Sequence, residues 1–211
     1  MKALLVFCHP KSDSFTAAVA QTVIEELENG GAQVKVIDLY RAGYDPVITA
    51  SEWDCYEDCE QNCMGQEETI EALKWCNSLI FVYPTWWYGM PAMLKGWLEK
   101  VLVPGVAFHM PSPDGGNIKP GLRHITKLAV FTTCGASRWL TTFIGAPGKR
   151  TLLRGVRLLC ARKCKTTYAA HYLMDSSTPE SRKAHLETVR DKAKRMVGTQ
   201  PAPAARLEPA E

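Results

Sequence analysis

Two hydrophobic rhythms run along this chain. Residues 3–8, "ALLVFC", are an unbroken apolar run of the kind that predicts a strand buried on both faces. Ser14 then stands as an N-cap, and Phe15, Val19, Val23 and Leu27 recur every fourth residue up to Gly30 and Gly31. That spacing predicts a helix with a glycine stop. Residues 33–38, "QVKVID", alternate and are β-branched, so they predict a second strand. A helix is expected over 66–76 and a third strand over 78–83, ended by Pro84. Met90, Met93, Leu94, Trp97, Leu98, Val101 and Leu102 keep a helical stripe, with Lys95 and Glu99 paired off it. Pro91 suits the first turn of that helix, and Pro104 and Gly105 end it. A fourth strand over 127–133, a helix over 148–159, a fifth strand over 165–172 and a charged helix over 180–196 complete the pattern.

Strand and helix thus alternate about five times. The fold class expected is α/β: a doubly wound, five-stranded parallel sheet of order 2-1-3-4-5 with helices on both faces. No internal repeat or second domain is evident. Residues 1–198 are expected to form one domain and 199–211 a Pro/Ala-rich tail with no core-forming content. Residues 44–65 and 103–124 lack a clear period, and long ordered loops of that kind often bind ligands.

Composition narrows the picture little. Hydrophobic residues make up 46% and charged ones 22% of the 211, ordinary for a soluble globular chain. The net charge of +3 is too mild to imply a nucleic-acid partner, although a local basic face would suit a phosphate-bearing ligand. No apolar run reaches the length of a membrane span, and the start of the chain reads as a strand rather than a signal peptide, so no membrane insertion and a cytoplasmic location are expected. The eight cysteines are then expected to be reduced. Cys55, Cys59 and Cys63 are four apart and would share one face of a helix. They include no C-x-x-C pair and no histidine, so free thiols are the favoured reading and no metal is assigned. Cys160 and Cys164 repeat the spacing and receive the same reading.

The chemistry lies in three loops. After the first strand, "HPKSDSFTAAVA" offers hydroxyls of Ser12, Ser14 and Thr16 at a helix N-terminus, with His9 and Lys11 as further donors. Helix N-termini attract anions, so this is an anion site made without glycines; the plainer reading is capping by Ser14 alone. No G-x-G-x-x-G follows the strand, which disfavours an ordinary dinucleotide site. The fragment "GAPGKR" at 145–150 fails as a P-loop, with Phe143 at the first glycine position and Arg150 at the hydroxyl position. After the third strand come Trp86, Trp87 and Tyr88, rings that can edge a flat heterocycle. Because strand neighbours face opposite ways, one tryptophan is expected to pack beneath the loop and the other to face the ligand. After the fourth strand, "TTCGAS" at 132–137 has small residues that allow close backbone approach. All three loops would meet at one edge of the sheet, beside the crevice between strands one and three. Phosphate at the first loop and a flat ring at the others is the layout for a flavin.

"FCHPKSDSFTAAVA", "VYPTWWYGMPAMLKGWLEKVLVPGVAF" and "FTTCGAS" resemble the flavodoxin-like NAD(P)H:quinone oxidoreductase family, which includes DT-diaphorase, bacterial drug-activity modulators and the ancillary flavoproteins of potassium efflux. The resemblance covers roughly residues 1–196. It implies a homodimer and a noncovalent flavin, FAD with FMN as the alternative. It assigns His9, Ser14, Phe15 and Thr16 to the phosphate and ribityl chain. Pro84, Thr85, Trp86, Trp87 and Tyr88 would border the isoalloxazine, and Thr132, Thr133, Cys134 and Gly135 its pyrimidine side. Cys134 stands where many members carry glycine. Around Trp139 there is no histidine where the mammalian members have a Tyr and a His, so no acid–base residue is carried over.

The function expected is an oxidoreductase that takes hydride from NAD(P)H and passes two electrons to a quinone or similar small acceptor by ping-pong turnover. Tyr88 and the strand-four loop are candidates to stabilise the reduced flavin, and Phe108, His109 and Met110 to form the acceptor pocket. The alternatives are a regulatory flavoprotein docked on a potassium-efflux transporter and an electron-transfer flavodoxin. The positive net charge speaks against the last.

Overall fold

The computed structural model describes residues 1–112 and 115–198 of the chain; the expected tail at 199–211 lies outside them. Five strands form one parallel sheet: β1 (Lys2–Phe7), β2 (Gln33–Asp38), β3 (Ser78–Thr85), β4 (Lys127–Cys134) and β5 (Lys165–His171). Their order is 2-1-3-4-5, as expected. β1 pairs with β2 from Lys2↔Gln33 to Phe7↔Asp38 and with β3 from Ala3↔Ser78 to Phe7↔Val82.

The three central strands, β1, β3 and β4, are buried on both faces and divide their side chains evenly, while the edge strands β2 and β5 are only partly covered. Leu4, Val6, Leu79, Phe81, Tyr83, Leu128 and Val130 point to one side. They pack under α3 (Glu67–Trp75), α4 (Ala92–Val101) and a helical run, α6, made of Pro147–Arg150, Thr151–Val156 and Arg157–Leu159. Ala3, Leu5, Phe7, Ile80, Val82, Ala129 and Phe131 point to the other side. There α1 (Phe15–Asn29) and α7 (Pro179–Val197) cover them, and a short α5 (Arg138–Phe143) follows β4. Trp97 of α4 is fully buried with its ring edge-on to Phe81. Next to it Gly96 is required by close packing: a Cβ there would lie 2.1 Å from the Pro46 carbonyl oxygen.

Three features differ from expectation. First, β3 does not stop at Tyr83 but runs through Pro84 to Thr85. Backbone groups two residues apart point the same way in a strand. The Val82 carbonyl accepts from Cys8 N–H, on the β1 side, so the missing Pro84 N–H would face past the end of β1. Proline there loses no ladder bond. Second, residues 44–65 hold a short helix, α2 (Ala50–Asp54), begun by a capping box in which Thr49 and Glu52 satisfy each other. That helix ends at Asp54, so Cys55, Cys59 and Cys63 fall in successive turns rather than on a helical face. Third, the middle of α6, Thr151–Val156, is wound as π-helix.

Candidate functional site

The cleft lies where β1 has ended and β3 and β4 continue. β3 and β4 stay paired to Thr85↔Cys134, three residues beyond the last β1–β3 pair. The chain leaves β1 towards β2 on one side and returns to β3 on the other, which makes this gap the topological switch point. A cleft of about 710 Å³ opens there. His9, Ser14, Phe15, Thr16, Pro84, Thr85, Trp86, Trp87, Thr133, Cys134, Gly135, Met174 and Asp175 line it.

The first wall is the start of α1. Ser14 caps the helix, its Oγ accepting from Ala17 N–H at 3.1 Å. The Phe15 and Thr16 amides have no intrahelical acceptor at this end, and the first turn holds no acidic residue to neutralise them. His9 Nδ1 accepts from Lys11 N–H at 3.0 Å. Nδ1 is equally close to the Lys11 carbonyl, so the Lys11 backbone holds the ring by that edge and Nε2 is the edge left for a ligand.

The floor is stitched by threonines. Thr132 donates to the Tyr83 carbonyl at 2.7 Å, so the Thr85 hydroxyl, 2.9 Å away, donates to Thr132 Oγ1. Thr16 and Thr133 hydroxyls meet at 3.0 Å, joining α1 to β4 across 117 residues of chain. Phe15 packs on a buried histidine pair, edge-on to His171 at 5.4 Å and tilted against His185 at 6.0 Å. Burial, with His171 beside it, pushes His185 down to about 4; burial also lowers His171.

The opposite wall is the aromatic loop. Trp86 and Gly89 exchange both backbone hydrogen bonds, at 3.1 and 3.0 Å, around a two-residue turn. Trp87 and Tyr88 occupy its centre at φ 47° and 61°. Positive φ at both central residues is the mark of a type I′ hairpin turn, normally Asn-Gly, and large aromatic residues there are strained. Neither tryptophan enters the core: Trp86 is 43% and Trp87 94% exposed. The expected division of one buried and one ligand-facing ring fails because strand alternation does not extend into a turn. Gly148 of α6 packs on this turn, where a Cβ would lie 3.2 Å from the Gly89 backbone.

The structure thus gathers His9, Ser14, Phe15, Thr16, Pro84, Thr85, Trp86, Trp87, Thr133, Cys134 and Gly135 around one cleft. Thr132 lies beneath the cleft, and Tyr88 sits on the turn without lining it. Phe108, His109 and Met110 do not line it either. Phe108–His109 pairs with Lys119–Pro120 in a hairpin that leads into the start of β4, away from the strand ends that carry the cleft. Sequence reading missed Met174 and Asp175, which follow β5 after Leu173 at φ 55°. The Asp175 carboxylate rests over Gly135, where a Cβ would be 2.6 Å from Oδ2. Their signal was position alone: the loop after a strand's C-terminal end at the same sheet edge.

Among the described residues no three His, Cys, Asp or Glu side chains converge as a metal-holding group, and no helix is long and apolar enough to cross a membrane.

Sheet order and cleft position define a doubly wound α/β protein with an open cleft at its switch point. The chain belongs to the family described as having the flavodoxin-like fold, whose model matches residues 1–197. It is 31% identical over 157 residues to a ribosyldihydronicotinamide dehydrogenase [quinone] of Rattus norvegicus, covering 66% of each chain. The first three curated relatives are matched over 66%, 45% and 54% of their own length, less than two thirds in each case. Among solved structures it is similar to Smu.1420 of Streptococcus mutans UA159, at 25% identity and a TM-score of 0.77 over 92% of this chain and 100% of that one. It also shares its fold with an NAD(P)H:quinone oxidoreductase from Methanothermobacter marburgensis, at 22% identity and a TM-score of 0.79 over 93% and 98%.

Proposed function

We propose that this chain is a flavin-dependent NAD(P)H oxidoreductase that passes two electrons to a quinone or similar small acceptor. The observation that carries the reading is the cleft itself: a helix N-terminus without acids, a threonine-tied floor and an exposed aromatic turn meet at the switch point. The named activity of the rat relative supports the same chemistry. A bound flavin would supply the hydride acceptance and two-electron delivery.

The protein residues bind and orient. The Phe15 and Thr16 amides and His9 Nε2 would hold phosphate oxygens, and Ser14 fixes the amides in place by capping. Pro84, Thr85, Trp86 and Trp87 would border the ring system. Thr133, Cys134 and Gly135 would approach its pyrimidine side through backbone, and preorganised amides there would stabilise negative charge on the ring. FAD is the flavin proposed, with FMN as the alternative. The eight cysteines are all free, which supports a reducing compartment and hence the cytoplasm. Residues 1–198 act as one flavin-binding domain. The exposed rings of Trp87, Trp139 and Phe143 favour a homodimer, since apolar surface of this kind is usually covered. Phe108, His109 and Met110 can serve the acceptor only if a second copy brings them to this cleft.

The test is to titrate purified protein with FAD and with FMN, then follow NADH and NADPH oxidation with menadione. Binding of one flavin at micromolar concentration and menadione-dependent oxidation are expected. Failure of both flavins to bind overturns the reading at its base.

A further inference from the structure

The charge of this chain is divided very unevenly. Residues 115–174 contain 11 Lys and Arg and no Asp or Glu, leaving 14 Lys and Arg against all 22 Asp and Glu elsewhere. Among the described residues, none of those 11 cations makes a salt bridge. The fold then concentrates several of them at the end of the sheet opposite the cleft. Leu122 N–H donates to the Leu159 carbonyl at 3.0 Å, Ala161 N–H to Ile125 at 3.0 Å and Lys165 N–H to Thr126 at 2.9 Å. These bonds lay residues 122–126 against 159–165. Arg157–Leu159 also packs against Lys119–Pro120.

The result is one face on which Lys119, Arg123, Arg162, Lys163 and Lys165 are all exposed. Lys127 and Lys165 stand directly opposite each other at the start of β4 and β5. Like charges in register repel, and among the described residues Lys127 answers by donating to the Met196 carbonyl near the end of α7 rather than by a salt bridge. Two aliphatic side chains project from the same face: Ile118 is 57% and Leu158 72% exposed.

We propose that this face docks on an anionic lipid surface. The cations would meet lipid headgroups, while Ile118 and Leu158 enter the boundary between headgroups and chains. Each basic residue near such a surface contributes on its own, and aliphatic tips add a part that salt does not screen. The two apolar tips favour a lipid over a nucleic acid, whose phosphate backbone offers nothing to bury them in. The face is separate from the cleft, so docking leaves the candidate flavin site open.

The experiment is co-sedimentation of the full chain with vesicles of phosphatidylcholine alone, or of phosphatidylcholine with phosphatidylserine. Binding is expected only to the anionic vesicles at about 0.1 M salt and is lost at several-fold higher salt, where the Debye length shrinks towards 3 Å. Arg162→Glu with Lys163→Glu should weaken binding roughly tenfold or more. Ile118→Ser with Leu158→Ser should weaken it while leaving the salt dependence unchanged. All four positions are exposed, and circular dichroism checks that both variants fold. Equal binding to neutral and anionic vesicles, or none to either, overturns the proposal. So does retention by duplex DNA without vesicle binding, which would give the face to nucleic acid. A charge-reversed pair that alters the oligomeric state and leaves lipid binding unchanged would assign it to a contact between copies. Flavin binding and menadione turnover by the same variants are read separately, so the outcome does not depend on the proposed activity.

Discussion

The two walls of the cleft are built on opposite plans. The floor and α1 side is buried and tied: Thr132 and Thr133 are under 6% exposed, and three threonine hydroxyl contacts link β3, β4 and α1. The other wall is an exposed turn with two aromatic residues in left-handed backbone, held by two backbone bonds at its base and by Gly148 from behind. Buried polar ties fix geometry because leaving any one unpaired is costly. Strain on an exposed turn persists only where something else holds it. One wall is therefore a rigid template, and the other is a strained surface presented to solvent.

Acid should break the rigid wall first. Phe15 rests on His171 and His185, whose Nδ1 and Nε2 respectively are buried without a partner. The folded chain holds His185 down to about 4 through burial, while the unfolded chain takes its proton near 6.5. The contribution to stability is whole above pH 6.5 and falls as pH drops from there towards 4, because only the unfolded state binds the proton in that window. The loss should be on the order of 2 kcal/mol, measured by urea unfolding at several pH values. His185→Phe should flatten that slope. An unchanged slope in the variant would mean that the pair does not control it.

A smaller effect is expected from a single tie. Thr133→Val leaves the buried Thr16 hydroxyl unpaired and should cost about 1 to 3 kcal/mol. Thr16→Val with Thr133→Val removes both partners and should recover part of that loss. Additive losses in the double variant would show that the two hydroxyls do not support each other.

The rigid wall was the more legible of the two in the sequence. Buried strands announce themselves by unbroken apolar runs, and Ser14 before a period of four marks the helix start, so β1, α1, β3 and β4 fall where the pattern puts them. The threonine ties were not legible, since Thr16 and Thr133 are brought together only by the sheet order. The presented wall misled for a physical reason. Pro84 looks like a strand stop until the register shows that its missing N–H faces past the end of β1. Trp87 and Tyr88 carry no turn propensity, so nothing local announces a type I′ turn. The loop of Met174 and Asp175 follows a left-handed Leu173, which likewise has no sequence mark. Residues 108–110 lie at the short hairpin before β4 and do not line their own chain's cleft.

The sharpest way to separate the two walls is to relax the strained one. Trp87→Asn with Tyr88→Gly installs the pair that a type I′ turn prefers. Trp87 is 94% exposed, so its removal gives up little burial; Tyr88 is half-buried, and its lost packing offsets part of the relief of two left-handed aromatic residues, leaving a net stabilisation of the ligand-free protein of about 1 kcal/mol. The same change removes a ring that borders the cleft, so flavin affinity should fall even as the melting temperature of the ligand-free protein rises. Tyr88 is half-buried and does not line the cleft, so Tyr88→Gly by itself sets lost packing against relieved strain and should leave flavin affinity nearly unchanged. Thermal melts without flavin and flavin titrations on the single and double variants measure both quantities. A gain in stability with affinity intact in all of them would mean that the turn is strained for some purpose other than the flavin, such as a contact with a second copy. A loss of stability would mean that the aromatic rings support the fold from the surface, and the contrast between a tied wall and a presented one would fail.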